Sequence, residues 1–261
     1  MIEILARQRP ELVTEVLVDD QEGRMLMRDG GIQLSTILDR DRDLRYWEEA
    51  LPLYAELQIA ASVDAGDLLA AGVADHRLAA LPDIYTELVN DRELLGAGRP
   101  DGLTADEYRQ VRALVPEIRA ASETLAAYRV PETIQDNDLT HGSIFLANGS
   151  YRFLDWGDVG VSHPFFMLTV TLRVIEYVHG LPPGSAEIER VRDAYLEPFT
   201  GFEPREVLVP LAATARRFGQ VCKALLRGEE VRSGLYVDKP DAMAWAMRLL
   251  LDQEAWRAVT D

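Results

Sequence analysis

Asp136-Asn137-Asp138-Leu139-Thr140-His141-Gly142-Ser143-Ile144-Phe145-Leu146-Ala147-Asn148-Gly149-Ser150-Tyr151-Arg152-Phe153-Leu154-Asp155-Trp156-Gly157-Asp158 is the stretch on which the reading of this chain turns. Two apolar runs, residues 144–147 and 151–154, flank Asn148-Gly149, and Asn-Gly between two such runs is the strongest short-range signal for a tight β-hairpin. A two-residue turn there sets Ile144 opposite Phe153, so Ser143 and Asp155 meet at the open end. Asp136 and Asp138 lie just upstream and Asp158 just downstream, which gathers four carboxylates and a hydroxyl over a short span of surface. Like charges so placed raise one another's pKa unless a cation screens them, and a hard divalent ion such as Mg²⁺, which prefers oxygen ligands, would relieve the repulsion. The plainer reading is that these acids cap turns and face water.

Outward from the hairpin the pattern is mostly helical. Trp47, Leu51, Tyr54, Leu57 and Ala61 recur at three- and four-residue steps and describe one buried stripe. A second helical stretch covers residues 78–95. Thr104-Ala105-Asp106-Glu107 is a capping box, with Leu103 placed to staple onto Tyr108, and it opens a long helix toward Tyr128 that is expected at the centre of the core. After the hairpin, helices are expected at 165–179, 186–199, 206–227 and 240–256, with Pro182-Pro183-Gly184 as a loop. Toward the amino terminus, residues 13–18 and 25–27 read as short strands around an acidic turn at 19–23, ended by Gly30-Gly31.

Composition narrows the function. The chain has 261 residues, 44 acidic against 27 basic, for a formal net charge of −17. Such a surface repels nucleic acid and anionic membranes and attracts cations, so nucleic acid is not an expected partner. The basic residues are 25 Arg and only two Lys, Lys223 and Lys239. Cys222 is the single cysteine, so no internal disulfide forms; its apolar helical setting reads as core. With no signal peptide and no apolar run of membrane-spanning length, the expected location is the cytoplasm, without membrane association. His141 stands near Ser143, but no Gly-x-Ser-x-Gly motif accompanies them, and no His or Cys pair has zinc-ligand spacing. His163-Pro164 reads as a turn.

The run Asp138-Leu139-Thr140-His141-Gly142-Ser143-Ile144, followed by a hairpin ending in Phe153-Leu154-Asp155-Trp156-Gly157-Asp158, resembles the signature of aminoglycoside phosphotransferases and related choline-kinase-like enzymes. That family reads His-Gly-Asp-Leu-His-Pro-Gly-Asn, then strand, turn, strand, and Asp-Trp. The resemblance implies an α+β, mainly helical, protein-kinase-like carboxy-terminal lobe over residues 32–261, with residues 1–31 as a remnant of the amino-terminal lobe and hinge. It implies that Asp138 accepts the proton of a substrate hydroxyl, that Asp155 holds Mg²⁺ with Ser143 where the family has an asparagine, and that the backbone of Met27, Arg28 and Asp29 receives the base of ATP or GTP. Asp136 and Asp158 complete the acidic cluster, with Asp136 where the family has a histidine.

The implied partners are a nucleotide and a small molecule bearing a hydroxyl, a cationic one suiting the acidic chain; oligomeric state is left open. One departure bears on activity: such kinases anchor phosphates with a lysine on an amino-terminal strand, and no lysine occurs before Lys223. Arg7, Arg9, Arg24 and Arg28 are the available substitutes, although an arginine fork differs from a lysine point charge. Either the start lies further upstream or the nucleotide clamp has been reduced. The alternative functions are therefore a catalytically silent kinase-like binding module and a metal-dependent hydrolase using the same aspartates.

Overall fold

In the computed structural model, residues 1–19, 25–235, 239 and 241–251 are described. Along the chain, α1 (Ile2–Gln8) leads into β1 (Val16–Asp19), β2 (Met25–Met27), β3 (Ile32–Gln33) and α2 (Leu34–Leu38). Then come α3 (Arg45–Ala61), α4 (Ala65–Ala70), β4 (Ala74–Asp75), α5 (Leu81–Asn90), α6 (Ala105–Ala113) and α7 (Val115–Ala126). The site region holds β5 (Thr133–Asp136), β6 (Ile144–Ala147), β7 (Ser150–Phe153) and β8 (Val159–Ser162); α8 (Leu168–His179), α9 (Ala186–Leu196), α10 (Arg205–Arg232) and α11 (Ala242–Leu251) follow. The fold is α+β and mainly helical, with small sheets ordered β1-β2, β3-β6-β7 and β4-β8-β5. No helix among the described residues is long and apolar enough to cross a membrane.

The stripe on α3 is buried as its spacing requires: Trp47, Leu51, Tyr54, Leu57 and Ala61 are all fully inaccessible. The capping box at Thr104 forms, with the Glu107 amide donating to the Thr104 hydroxyl and the Thr104 amide to the Glu107 carboxylate. The helix it opens does not run on to Tyr128. It stops at Ala113, and α7 begins afresh at Val115 with Pro116 in its first turn, where the missing amide costs nothing.

Nor is that segment the centre of the core. The central element is α10, 28 residues long, which packs against α5, α7, α8, α9 and α11. Gly219 allows this approach, since a Cβ there would lie 2.3 Å from the Phe166 carbonyl of the turn before α8.

Several elements escape a reading by period because they are too short to carry one. α1 precedes the expected strands; β3 extends the hairpin sheet through Ile32↔Leu146 and Gln33↔Phe145; β4 and β8 pair in parallel. The expected strand at 13–18 starts at Val16, Val13 making only an isolated bridge to Phe153. The turn residues 20–23 and the end of the expected last helix, residues 252–256, lie outside the described residues.

β5 is tied to the helices through Gln58, which is wholly buried on α3. Its Nε2 donates to the Ile134 carbonyl (2.9 Å), its Oε1 accepts from the Tyr195 hydroxyl (2.6 Å), and its own carbonyl accepts from Thr133 Oγ1 (2.6 Å). Replacing Gln58 by leucine leaves the Ile134 carbonyl buried and unpaired, so Gln58→Leu is expected to lower unfolding free energy by about 1–3 kcal/mol. The check is a urea midpoint that falls while the slope of the transition stays the same.

Candidate active site

Two strand pairs bring two loops side by side. β6 and β7 pair in the expected register, Ile144↔Phe153 to Ala147↔Ser150, closed by Asn148 (φ 53°) and Gly149 (φ 77°). Both turn residues are left-handed, as a turn matched to strand twist demands. β5 and β8 pair from Thr133↔Ser162 to Asp136↔Val159. Residues 137–143 leave β5 for β6, and residues 154–158 leave β7 for β8, so each loop is held at both ends. The Leu154 amide donates to the Ser143 carbonyl (2.9 Å) at one end. The Asp158 carbonyl accepts from the Asn137 amide (3.1 Å) and from Asn137 Nδ2 (2.8 Å) at the other.

The acidic side chains take different stations within this frame. Asp138 is half in solvent on the first loop, and Asp155 is exposed on the second in the left-handed region (φ 66°, ψ 61°), a conformation uncommon for a residue with a Cβ. Asp136 does not face water: it is 1% exposed and accepts the Asp138 amide at 2.7 Å. Burial pushes its carboxyl up to about 7; the Asp138 amide opposes this, and the charges of Asp158, Asp138 and Asp155 add to it. Asp158, half-buried, is also raised, first by burial and then by Asp138 and Asp155, against the pull of Lys223 and Arg227. The charges of Asp138 and Asp155 thus act on the same two neighbours, so the four carboxylates of the sequence pattern share one electrostatic site.

Ser143 is 3% exposed and knits the first loop together, its hydroxyl donating to the Asp138 carbonyl (3.3 Å) and accepting the Thr140 amide (3.1 Å). Outside groups hold the same loop: Gln33 Nε2 on the Gly142 carbonyl (2.6 Å) and Thr171 Oγ1 on the Leu139 carbonyl (2.8 Å). His163 is fully buried and caps the turn after β8 by accepting the Phe165 amide (3.3 Å). Cys222 is core, its thiol pushed by burial up to about 12.

One participant went unread in the sequence. Lys223, on α10, places Nζ 2.5 Å from Asp138 Oδ1. Its signal was rarity, one of two lysines in 261 residues, standing next to a buried cysteine.

The segment of Met27, Arg28 and Asp29 runs beside the hairpin. The Arg28 amide is spent on the Glu15 carbonyl (2.9 Å) and its guanidinium on the Glu15 carboxylate (2.8 Å), while the Asp29 carbonyl accepts from Arg152 Nη1 (3.4 Å). A cavity of about 460 Å³ opens between this segment, α1, β1 and β7, lined by Arg7, Val13, Val16, Arg28 and Arg152 among others. Of the other arginines considered as phosphate anchors, Arg9 is committed to Glu11 and Glu56 (2.5 and 2.8 Å), and Arg24 lies outside the described residues.

Helices packed around two clamped acidic loops make a protein-kinase-like fold of the kind found in small-molecule kinases. A choline/ethanolamine kinase family protein from Mesorhizobium loti superposes with a TM-score of 0.59 at 17% identity, over 98% of this chain and 81% of that one. An ethanolamine kinase of Plasmodium vivax gives 0.58 at 13% identity, over 97% and 72%. The GDP complex of an aminoglycoside 2′-phosphotransferase gives 0.57 at 16% identity, over 97% and 79%. By sequence, no protein-family model and no curated protein matches.

The raised carboxyl of Asp136 has a measurable consequence. The folded chain keeps a proton there up to about pH 7, whereas the ordinary value is 3.8, so between those values the native state binds more protons than the unfolded one. Stability contributed by this group therefore falls as pH rises through that window. The unfolding free energy of wild type minus that of Asp136→Asn is expected to drop by up to ~4 kcal/mol across the window and to level off above it. Urea unfolding in metal-free buffer reads this out, and a flat difference would mean that Asp136 is ionised throughout in the fold.

Proposed function

We propose that this chain is a phosphotransferase that moves the γ-phosphate of ATP or GTP to a hydroxyl of a small molecule. The observation that carries the reading is the clamping of the Asp138 loop against the Asp155 loop, at Ser143–Leu154 on one side and Asn137–Asp158 on the other. Phosphoryl transfer asks a protein mainly for positioning and charge stabilisation, and two loops fixed at both ends supply the first.

Asp138, half in solvent, is placed to orient the acceptor hydroxyl and take its proton as the bond to phosphorus forms. Its backbone is fixed by Asp136 below and by Ser143 behind. Asp155 presents a carboxylate from a strained, exposed position on the facing loop. Among the described residues no three His, Cys, Asp or Glu side chains form a ready cage, and Mg²⁺ commonly binds through one or two carboxylates plus substrate phosphates and water. The oxygen-only donor set, with two carboxyls raised by burial and further by the charges of Asp138 and Asp155, fits that ion.

Asp155 would hold the ion, and Ser143, with one lone pair left, would reach it through a water. The ion would supply neutralisation of the developing phosphate charge. The backbone of Met27, Arg28 and Asp29 would receive the nucleotide base; of the three, Arg28 lines the cavity beside α1, and Arg7 and Arg152 line it too, as cations that would take the part of the family's lysine. The fold shared with choline, ethanolamine and aminoglycoside kinases supports a small hydroxylated acceptor.

Asp138→Asn keeps the size of the side chain and removes its capacity to take a proton. Transfer, followed as nucleoside diphosphate release, is expected to fall by roughly 10²–10⁴-fold. Affinity for Mg²⁺-nucleotide by calorimetry should change by no more than about twofold, since this side chain acts on the acceptor. Transfer that survives the substitution would remove Asp138 from the role of base.

A further inference from the structure

The carboxylate of Asp138 has one hydrogen-bond donor among the described residues, Lys223 Nζ at 2.5 Å from Oδ1. The neighbouring loop groups fix the backbone of Asp138 and leave its side chain to others: the Asp136 carboxylate holds its amide and the Ser143 hydroxyl its carbonyl. A carboxylate that turns freely in water spends little time in the geometry that takes a proton, and a misplacement of about 1 Å can cost ~10²-fold in rate. Of the two partners Lys223 is the better covered, its side chain 19% exposed against 49% for Asp138, so the ammonium is the held member and the carboxylate the one it steers.

The helices explain how Lys223 is held. α10 is pinned to α8 just before it: Gly219, one turn back, lies where a Cβ would overlap Thr169 and the Phe166 carbonyl. Thr169 Oγ1 donates to the Arg216 carbonyl (2.7 Å), and Arg216 makes a buried ion pair with Glu176 of α8 (2.7 Å). Arg216, Gly219 and Lys223 follow one another at steps of three and four, so they share one face of α10. Cys222 adds a contact with β8, its Sγ 3.8 Å from the Ser162 hydroxyl. The same α8 grips the other partner, since Thr171 Oγ1 donates to the carbonyl of Leu139, the residue after Asp138 (2.8 Å). Two threonines on one helix thus set the spacing between α10 and the Asp138 loop.

We infer that Lys223 is a positioning residue of the transfer reaction: by holding Oδ1 it orients the Asp138 carboxylate and leaves Oδ2 as the oxygen that receives the acceptor's proton. The assignment rests on the phosphotransfer reading and adds a residue that lies outside the 136–158 stretch. In the step served, the acceptor oxygen forms a bond to the γ-phosphorus, the bond from that phosphorus to the bridging oxygen breaks, the hydroxyl proton passes to Oδ2, and the nucleoside diphosphate leaves. Lys223 keeps its own protons throughout and acts only through Asp138. A partly solvated pair contributes little to folding, so orientation is the effect by which Lys223 is recognised.

The full chain is assayed for nucleoside diphosphate release from Mg²⁺-ATP and Mg²⁺-GTP with ethanolamine, choline, kanamycin and water as acceptors. Lys223→Met keeps the stem and removes the charge; it is expected to lower kcat by about 10²-fold. KM for the Mg²⁺-nucleotide should stay within about twofold, and the urea midpoint near that of wild type. Lys223→Arg, which restores the charge, should regain about tenfold over Lys223→Met. Added to Asp138→Asn, Lys223→Met should cost no more than about a further twofold, because it works through that carboxylate. Should Lys223→Met not fold, Lys223→Gln serves for the same comparisons. Wild-type turnover without the ammonium, a loss that adds in full to that of Asp138→Asn, or a nucleotide KM that rises in step overturns the assignment. A readout independent of turnover comes from ¹⁵N-lysine labelling, since the chain has only two lysines. The Lys223 ammonium signal, identified by its loss in Lys223→Met, should shift in Asp138→Asn, and a signal indifferent to that substitution also overturns the assignment. A signal that answers to Asp138 in a chain that releases no diphosphate with any of these acceptors would instead overturn the phosphotransfer reading, leaving the ion pair with no transfer to serve.

Discussion

The structure depends on two short loops being unable to move apart. Strands of four residues are weak elements alone, but β5–β8 and β6–β7 are nested: the loop leaving one pair enters the other. Residues 137–143 and 154–158 therefore share both boundaries, and three hydrogen bonds at those boundaries, with Ser143 bracing the first loop from within, fix the Asp138 backbone relative to that of Asp155. Sliding one strand by a single residue would turn Tyr151 and Phe153 out of the core, so the register is enforced by burial as well as by the turn. The helices have their part in this as a rigid seat. Gln58 on α3 and Thr171 on α8 each bond a carbonyl of β5 or of the loop that follows it, which links the site's geometry to the main core.

That geometry concentrates negative charge, and the three resident responses to it are distinct. Asp136 is sunk beneath the loop and raised to about 7, so near neutrality it is partly protonated and adds less than a full charge. Asp158 is raised as well, first by burial, and lies under the opposing influence of Lys223 and Arg227. Asp138 receives Lys223 directly. The histidine that the related signature carries at the position of Asp136 would bring a ring that titrates near neutrality; a buried, raised carboxyl reaches a similar protonation balance from the opposite side.

The hairpin was legible in the sequence because Asn148-Gly149 admits one kind of turn, and that turn dictates the Ile144↔Phe153 pairing down to the residue. The buried face of α3 and the Thr104 cap were legible for the same reason: each is a local pattern with one physical meaning. What escaped were features set by distant partners. β3, β4 and β8 are strands of two to four residues whose existence depends on what they pair with. The break at Leu114 was missed because an apolar stripe continued through it, although Pro116 marks a restart. Asp136 reads in sequence as one more acid in a solvent-facing cluster, and only the third dimension shows it buried. Lys223, 85 residues from Asp138, had no local signal of partnership.

Lys223 also completes the charge balance of the candidate site. An acidic site with no cation would hold a like-charge repulsion that only an incoming ion could relieve; here α10 supplies an ammonium before any ligand arrives. Lys223 holds Oδ1 of Asp138, so on the reading proposed above the hydroxyl proton would pass to the other oxygen of the same carboxylate, with Lys223 in place as counter-ion. The ion pair across 85 residues of sequence thus fixes one side of the Asp138 carboxylate from α10, while the two clamped loops fix its backbone, so charge balance and geometry at the site are set by the same packing.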